Sequence, residues 1–163
     1  MQSTIFIALL VFIDQLTKLL VKFNLSIYQK VDILGSFLRF TYVENQGIAF
    51  GIDTSRFHIF VIFLTVLAII ALLYYKKKLS LEYEKTPLIL IIGGAIGNAI
   101  DRILVLVPSF NYFGVIDFID IGFGYYRWFI FNLADTFITI GVILYFILQY
   151  KFNKEYNATS RNI

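Results

Sequence analysis

The sequence predicts an α-helical membrane protein with four transmembrane helices and a small extracytoplasmic β element. Hydrophobic residues make up 59% of the 163 residues and charged residues only 15%, whereas soluble domains carry about 25% charged residues. Four apolar windows are each long enough to cross a hydrocarbon core of ~30 Å, which takes about 20 residues. A run of aromatic and β-branched residues between the first two windows favours a strand. We expect one domain, residues 1–163, with no separate soluble part.

The four predicted spans are roughly residues 3–23, 57–75, 87–107 and 128–150. Span one lacks a basic leader and a small-x-small cleavage site, so we expect it to be retained as a helix. Span three is predicted to begin at Pro87, because the fixed φ of proline suits the first turn of a helix. Span four is predicted to begin at Trp128.

The distribution of basic residues predicts the orientation in the membrane. The densest group lies in the 76–86 loop and after span four, and comprises Lys76, Lys77, Lys78, Lys85, Lys151, Lys154 and Arg161. The bias lies in density rather than in count, because the other connecting segments also contain Lys30, Arg39, Arg56 and Arg127. By the positive-inside rule, we expect cytoplasmic termini, a cytoplasmic 76–86 loop and extracytoplasmic segments at 24–56 and 108–127. The net charge of +3 then reflects topology and predicts no nucleic-acid partner.

The two outer segments differ in their predicted structure. Phe37–Val43 alternates loosely and predicts a strand on the outer membrane surface. Gly47 and Gly51 permit a tight backbone path after it. Residues 108–127 are rich in Phe, Tyr and Gly, and we expect a movable loop in the interface. His58, at the outer end of span two, is assigned no chemistry.

Five aspartates in or beside the spans are the candidate functional residues: Asp14, Asp101, Asp117, Asp120 and Asp135. A carboxylate in lipid costs several kcal/mol unless it is paired, protonated or turned inward. The chain has no Cys and one His, which excludes a Cys nucleophile, a Cys-ligated metal and any site that needs two histidines. The zinc-protease motif His-Glu-x-x-His is therefore excluded. No Gly-x-Gly-Asp motif is present, and no Ser lies deep in a span.

Polar residues in spans one, three and four recur at helical spacing. Asp14 and Lys18 are four residues apart and can pair, either as a structural ion pair or as part of a substrate site. Asn98, Asp101 and Arg102 share one face of span three, where a structural ion pair is again the alternative. Gly93 and Gly97 permit a close approach of another helix. Asn132 and Asp135 are predicted to share a face of span four.

The depth of these residues favours a single site. At 1.5 Å per helical residue, Asp101 and Arg102 lie roughly 8–9 Å, Asp135 ~11 Å and Asp14 ~13 Å below the outer boundary. Two carboxylates close together in a low dielectric share a proton, so that one activates water and the other polarises a scissile carbonyl. Asp117, from the outer loop, and Asp135, from a fixed helix, fit such a pair.

Asp101 and Asp120 are expected to play lesser roles. Asp101, beside Arg102, is predicted to be a charge-compensated support for the pair. Asp120 belongs to no recognised motif, and its substitution is expected to be tolerated.

Five ordered motifs resemble those of the lipoprotein signal peptidase (signal peptidase II) family over residues 10–150. They are Asp14-Gln-Leu-Thr-Lys18, Asn45-Gln-Gly-Ile-Ala-Phe50, Gly93-Gly-Ala-Ile-Gly-Asn-Ala-Ile-Asp-Arg102, Val115-Ile-Asp-Phe118 and Phe131-Asn-Leu-Ala-Asp135. The resemblance implies an aspartyl endopeptidase of the bacterial cytoplasmic membrane. It would cut prolipoproteins N-terminal to a diacylglyceryl-modified Cys, with no metal, cofactor or obligate protein partner.

The resemblance also implies roles for individual residues. Asp117 and Asp135 resemble the catalytic pair of the family. The substrate-orienting residues would be Asn45, Gly47, Asn98, Arg102 and Asn132, with Asp14 and Lys18 as supports. The alternative is a small proton-coupled carrier that uses its membrane carboxylates as a relay. A carrier should place them near the midplane, often with internal repeats, and the sequence contains no such repeat.

Overall fold

The computed structural model describes residues 2–48, 52–53 and 57–160 of the chain. The elements, in chain order, are α1 (Gln2–Asn24), β1 (Lys30–Leu34), β2 (Leu38–Asn45), β3 (Gly47–Ile48), β4 (Ile52–Asp53), α2 (His58–Lys78), α3 (Glu82–Val105), β5 (Val115–Phe123), β6 (Tyr126–Arg127) and α4 (Leu133–Ser160). A short 3-10 turn at Pro108–Phe110 precedes β5. Phe50, Gly51, Arg56 and Arg161 lie outside the described residues.

Four helices in the described part of the chain are long and apolar enough to cross a membrane, which confirms the predicted class of fold. Helix α3 lies at the centre and packs against α1, α2 and α4. A small core in the N-terminal halves of α1 and α3 joins Ile7 of α1 to Leu88 and Ile92 of α3. Helix α2 has no fully buried side chain. One side of it packs partly against this core, and much of its remaining apolar surface is exposed, as expected of a helix in contact with lipid.

Two helices begin at different residues from those predicted. Helix α3 begins at Glu82, and Pro87 lies inside it, where the missing N–H removes one helical hydrogen bond. Helix α4 begins at Leu133 rather than at Trp128. The residues before it are held against β5, since Trp128 N–H donates to Ile121 O at 2.8 Å and Phe131 N–H donates to Ile119 O at 3.1 Å. A depth for Asp135 counted as helical rise from Trp128 therefore does not apply.

The outer segments form a four-stranded antiparallel sheet in the order β1-β2-β5-β6. The strand predicted at Phe37–Val43 corresponds to β2. Strand β5 was predicted as a movable loop, and this prediction is wrong: it is an inner strand of nine residues. Asp117 lies within it, opposite Val43 of β2. The pairing of β5 with β2 joins residues 70 to 83 positions apart, which a local sequence pattern does not encode.

The sheet is attached to the bundle at one end. Tyr42, Ile116 and Phe118 pack with Val21 of α1 in a second core, which places the sheet over the end of that helix. Below it, α1 and α3 come into close contact, because a Cβ at Gly97 would lie only 2.5 Å from Asp14 Oδ2. The prediction that small residues permit a close helix approach here is confirmed.

Candidate active site

A buried ion cluster joins α1 to α3 beneath the sheet. Lys18 Nζ lies 2.8 Å from Asp14 Oδ2 and 3.0 Å from Asp101 Oδ2, and all three residues are fully buried. The predicted pairing of Asp14 with Lys18 is confirmed. Asp101 was predicted to be compensated by its sequence neighbour Arg102, but it forms its ion pair with Lys18. The reason is that Lys18 enters the site from the adjacent helix. Lysine is thus the shared counter-charge of two carboxylates.

Gln15 belongs to the same cluster, and the sequence analysis missed it. Its Nε2 lies 3.0 Å from Asp101 Oδ1, 3.0 Å from Gly97 O and 3.3 Å from Asp14 Oδ2. The other oxygen of Asp101 accepts the N–H of Ile116 in β5 at 3.1 Å. The cluster therefore connects the helices to the strand that carries Asp117. The only signal in the sequence was the position of Gln15 inside the first motif.

The first turn of α4 is bound to the same cluster. Asp14 Oδ1 accepts the N–H of Ala134 at 2.9 Å, and so satisfies one of the donors that a helix start leaves free. Asn132 was predicted to lie on one face of span four, but it immediately precedes α4 and is not part of the helix. Asp135 is the third residue of α4. The positive end of the helix dipole favours a carboxylate at this position.

Asparagine side chains and one backbone amide hold the carboxylates of Asp117 and Asp135. Asp117 Oδ1 accepts Asn132 Nδ2–H at 2.7 Å, and Asp117 Oδ2 accepts Asn45 Nδ2–H at 2.9 Å. Asp135 Oδ1 accepts Asn98 Nδ2–H at 2.7 Å, and its Oδ2 accepts the backbone N–H of Asn132 at 3.2 Å. Each of the four oxygens thus has one donor, and three asparagines predicted as supports lie where they can orient the pair.

The asparagine contacts lead back to the buried lysine. Lys18 Nζ donates to Asn98 Oδ1 at 2.9 Å, and Asn132 Nδ2 reaches the same oxygen at 3.0 Å. With its oxygen occupied in this way, Asn98 must present its amide N–H to Asp135. Lys18 therefore fixes the orientation of a side chain that contacts the pair, in addition to neutralising charge.

The environment of Asp117 favours its protonated form. Its side chain is buried in the sheet, and only 3% of the residue is exposed. Burial and then the nearby charge of Asp135 raise the pKa of Asp117 to about 7, against the lowering effect of hydrogen bonds from Asn45 and Asn132 and of the charge on Lys18. The carboxylate of Asp135 therefore makes ionisation of Asp117 more costly than burial alone would.

Arg102 and Gly47 lie at the edge of this arrangement. The guanidinium is 3.5 Å from Gly47 O and 3.4 Å from Asn98 O, and Asp135 is the carboxylate that acts on it most strongly. The N–H of Gly47 donates to Asn45 Oδ1 at 2.9 Å, which fixes the amide that faces Asp117. His58, predicted to have no chemistry, donates from Nε2 to Arg102 O at 2.9 Å and so binds α2 to the end of α3.

Asp120 lies outside this site but has a structural role. It is buried, with Arg127 Nε 2.5 Å from its Oδ1 and Thr41 Oγ1 2.8 Å from its Oδ2. The structure therefore does not support the expectation that substitution of Asp120 is tolerated, because the change would leave a cation without its partner. Within the described residues, no group of three or more His, Cys, Asp or Glu side chains could hold a metal ion.

Comparison with known proteins yields consistent matches along the chain. The family model for signal peptidase (SPase) II matches residues 6–151. A lipoprotein signal peptidase of Halothermothrix orenii is 34% identical over 151 residues, 93% of this chain and 95% of that protein. Those of Clostridium tetani and Moorella thermoacetica are 38% and 39% identical, covering 90% and 85% of this chain and 91% and 86% of their own.

Solved structures give the same picture at the level of the fold. A bacterial membrane enzyme solved by the in meso method superposes with a TM-score of 0.82 at 34% identity, covering 94% of this chain and 90% of that one. A second such enzyme gives a TM-score of 0.77 at 34% identity, covering 91% and 92%.

Proposed function

The chain belongs to the signal peptidase II family, and we propose that Asp117 and Asp135 make it an aspartyl endopeptidase. Family membership makes the chain a multi-pass membrane peptidase that removes signal peptides from prolipoproteins. This favours the peptidase over a proton-coupled carrier. The observation that carries the aspartyl mechanism is the arrangement of donors: every carboxylate oxygen of the two aspartates accepts one hydrogen bond.

The difference between the two environments supports a division of roles between the aspartates. Asp117, whose pKa is raised to about 7 by burial and by Asp135, holds the shared proton and donates it toward the scissile carbonyl oxygen. Asp135, at the positive end of a helix dipole, is the ionised partner and takes a proton from the attacking water. The water oxygen bonds to the carbonyl carbon and gives a neutral tetrahedral diol. Asp117 is then ionised and Asp135 protonated.

The second half of the reaction restores both carboxylates. The C–N bond breaks as the leaving amine takes the proton from Asp135. One hydroxyl of the diol returns its proton to Asp117, and the new carboxyl group is released. Three asparagines hold the carboxylates throughout, so little reorganisation accompanies the proton transfers. Gly47 and Arg102 border the pair and would orient the peptide.

We place the site toward the extracytoplasmic side, with both termini in the cytoplasm of a bacterial cell. The sheet and the aspartates lie where α1 and α3 end and where α2 and α4 begin. Lys76, Lys77 and Lys78 lie at the opposite end of α2. Basic residues concentrate on the cytoplasmic side of membrane proteins, which supports this orientation.

The proposed substrate is a prolipoprotein already modified with diacylglyceryl at the Cys that follows the scissile bond. A water-soluble peptide would have to enter the membrane boundary to reach a site built from transmembrane helices. Each buried CH₂ contributes about 0.8 kcal/mol, and two acyl chains hold a residue firmly at a bilayer surface. Lipidation therefore brings the scissile bond to the aspartates. The proposed mechanism uses no metal, cofactor or obligate protein partner.

The test is cleavage by the purified protein of the same prolipoprotein in lipidated and unlipidated form, in one detergent. We expect the lipidated substrate to be cut to a product with N-terminal Cys, and the unlipidated substrate to be cut far more slowly. Equal rates would contradict the role of the lipid while leaving the role of the aspartates untouched. The aspartates are tested separately by substitution.

A further inference from the structure

A buried carboxylate that the proposed mechanism does not use, Glu44 in β2, holds three parts of the chain together. Its side chain is only 4% exposed. Oε1 accepts Lys22 Nζ from α1 at 2.9 Å and also accepts the hydroxyl of Tyr42. Oε2 accepts the backbone N–H of Phe113 at 2.5 Å. A helix end, a strand and the approach to β5 therefore meet at one side chain.

Lys22 strengthens this connection from the helix side. Its Nζ donates to Asn111 O at 2.7 Å and lies 4.1 Å from the ring centroid of Tyr112, a cation–π distance. Together with Glu44, it binds residues 111–113 between α1 and β2. We call Lys22 and Glu44 the clamp.

The clamp lies directly beside an asparagine of the proposed site. Asn45 follows Glu44 in the chain, and Gly114 follows Phe113. A Cβ at Gly114 would lie 2.5 Å from the carbonyl carbon and oxygen of Asn45, so the two backbones are in contact. Asn45 is also paired with Val115. The position of the Asn45 amide relative to Asp117 is therefore set by how closely the clamp holds these two segments.

We infer that Glu44 is a positioning residue of the peptidase: with Lys22 it fixes the strand end from which Asn45 donates to Asp117. The inference rests on the proposed catalytic role of Asp117. Glu44 acts through Asn45 and does not itself handle the proton. A carboxylate suits this task, because hydrogen bonds to an ionised acceptor are shorter and stronger than those between neutral groups.

This role has a consequence that packing alone would not produce. The hydrogen bond from Asn45 stabilises ionised Asp117 and so opposes the rise in pKa caused by burial and by Asp135. If Asn45 moves away, Asp117 keeps its proton to higher pH. The basic limb of the kcat profile, which reports loss of that proton, then shifts upward.

The charged groups around Asp117 and Glu44 determine the expected direction of the pKa shift of Asp117. Asp117 is surrounded by Asp135 of α4, Lys18 of α1 and Arg102 of α3, and a Glu44→Gln substitution removes none of them. The groups around Glu44 are Lys22, Tyr42 and Tyr112. The charge of Asp101 also acts on the two tyrosines. Loss of the negative charge of Glu44 would by itself lower the pKa of Asp117. An upward shift therefore indicates displacement of Asn45.

The experiment measures kcat and KM against pH with lipidated prolipoprotein for Glu44→Gln, Asn45→Ala and the double variant. A hydrogen bond to a charged group contributes about 1.5 kcal/mol, so we expect Asn45→Ala to shift the basic limb up by about one pH unit. Glu44→Gln should shift it by less in the same direction, with kcat lowered more than KM is raised. The double variant should show no further shift than Asn45→Ala, since both act through one contact.

Two additional variants complete the test. Glu82→Gln is the matched control, because Glu82 also pairs with a lysine, at 2.7 Å to Lys85, but is largely exposed; its profile should equal that of the wild type. Glu44→Asp keeps the charge but shortens the side chain by one CH₂, so it weakens the contacts with Lys22 and with the N–H of Phe113. It should give the same upward shift, and it replaces Glu44→Gln if that variant does not fold.

The outcomes separate this inference from the proposed function. An upward shift with Asn45→Ala but none, or a downward one, with Glu44→Gln, or with Glu44→Asp in its place, would overturn the role of the clamp and leave Asp117 as a catalytic residue. An active Asn45→Ala variant with an unchanged profile would overturn the assignment of Asp117, and the role of the clamp with it.

Discussion

Asn132 and Asp135 cap one another at the start of α4. Asn132 Oδ1 accepts the backbone N–H of Asp135 at 2.9 Å, while Asp135 Oδ2 accepts the backbone N–H of Asn132 at 3.2 Å. This reciprocal pattern is a capping box with aspartate in its third helical position. Because Nδ2 of the same asparagine donates to Asp117 at 2.7 Å, one residue fixes the strand carboxylate and the helix carboxylate relative to each other.

The first prediction concerns the proposed catalytic pair. Asp117→Asn and Asp135→Asn should each lower kcat by at least about 100-fold, since an amide can neither take nor supply the proton. Cleavage of lipidated prolipoprotein in detergent measures this. The matched control is Asp32→Asn, which makes the same chemical change at an exposed carboxylate of β1 and should leave kcat unchanged. Near-wild-type turnover in either pair variant would remove that residue from the mechanism.

A second prediction uses the raised pKa of Asp117. Since the pKa is about 7 in the folded protein against an ordinary 3.8, the folded state is penalised by ionisation as the pH rises from about 4 to 7. This rise in the pKa of Asp117 lowers the free energy of unfolding of the wild type by on the order of 4 kcal/mol at high pH. The variant gains somewhat less than this, because the substitution also removes a hydrogen bond. Asp117→Asn should therefore unfold at a higher temperature than wild type at pH 8 and lose this advantage near pH 4. A constant offset between pH 4 and pH 8 would contradict the argument.

A third prediction separates support from chemistry at the buried ion cluster. Lys18→Ala leaves Asp14 and Asp101 buried without their cation, and breaking such a pair typically costs 3–5 kcal/mol. We expect Lys18→Ala to unfold at a clearly lower temperature than the wild type, and Asp14→Asn to change in the same direction. In both variants, KM should be raised more than kcat is lowered. Lys85→Ala, at an exposed pair with Glu82, is the control and should cost less than about 1 kcal/mol. Loss of kcat at unchanged stability would instead make Asp14 and Lys18 part of the chemistry.

The fourth prediction concerns orientation in the membrane. The chain has no Cys, so a single Cys can be introduced without background labelling. Tyr125→Cys, at the fully exposed turn between β5 and β6, should react with a membrane-impermeant maleimide in intact cells. Lys77→Cys should react only after the membrane is opened. Labelling of the two positions in the opposite order would reverse the proposed topology.

The sequence by itself determined the features that depend on local pattern. The four spans follow from the length and apolarity of their windows. The pairing of Asp14 with Lys18 follows from a spacing of one helical turn, and the close approach of α1 to α3 follows from the small residues at Gly93 and Gly97. The resemblance in five motifs indicated the family, to which the comparisons assign the chain.

Only the tertiary structure decided how distant polar groups combine. Asp101 lies beside Arg102 in sequence, yet it pairs with Lys18, because a buried carboxylate takes the cation that the neighbouring helix brings to it. Asp117 lies in an inner strand because β5 pairs with β2. Hydrogen bonds between β5 and residues 128–131 delay the start of α4 until Leu133. Helical periodicity describes one element at a time, whereas the partner of a buried charge depends on how separate elements pack. For this reason, only the tertiary structure determines which polar groups meet in the site.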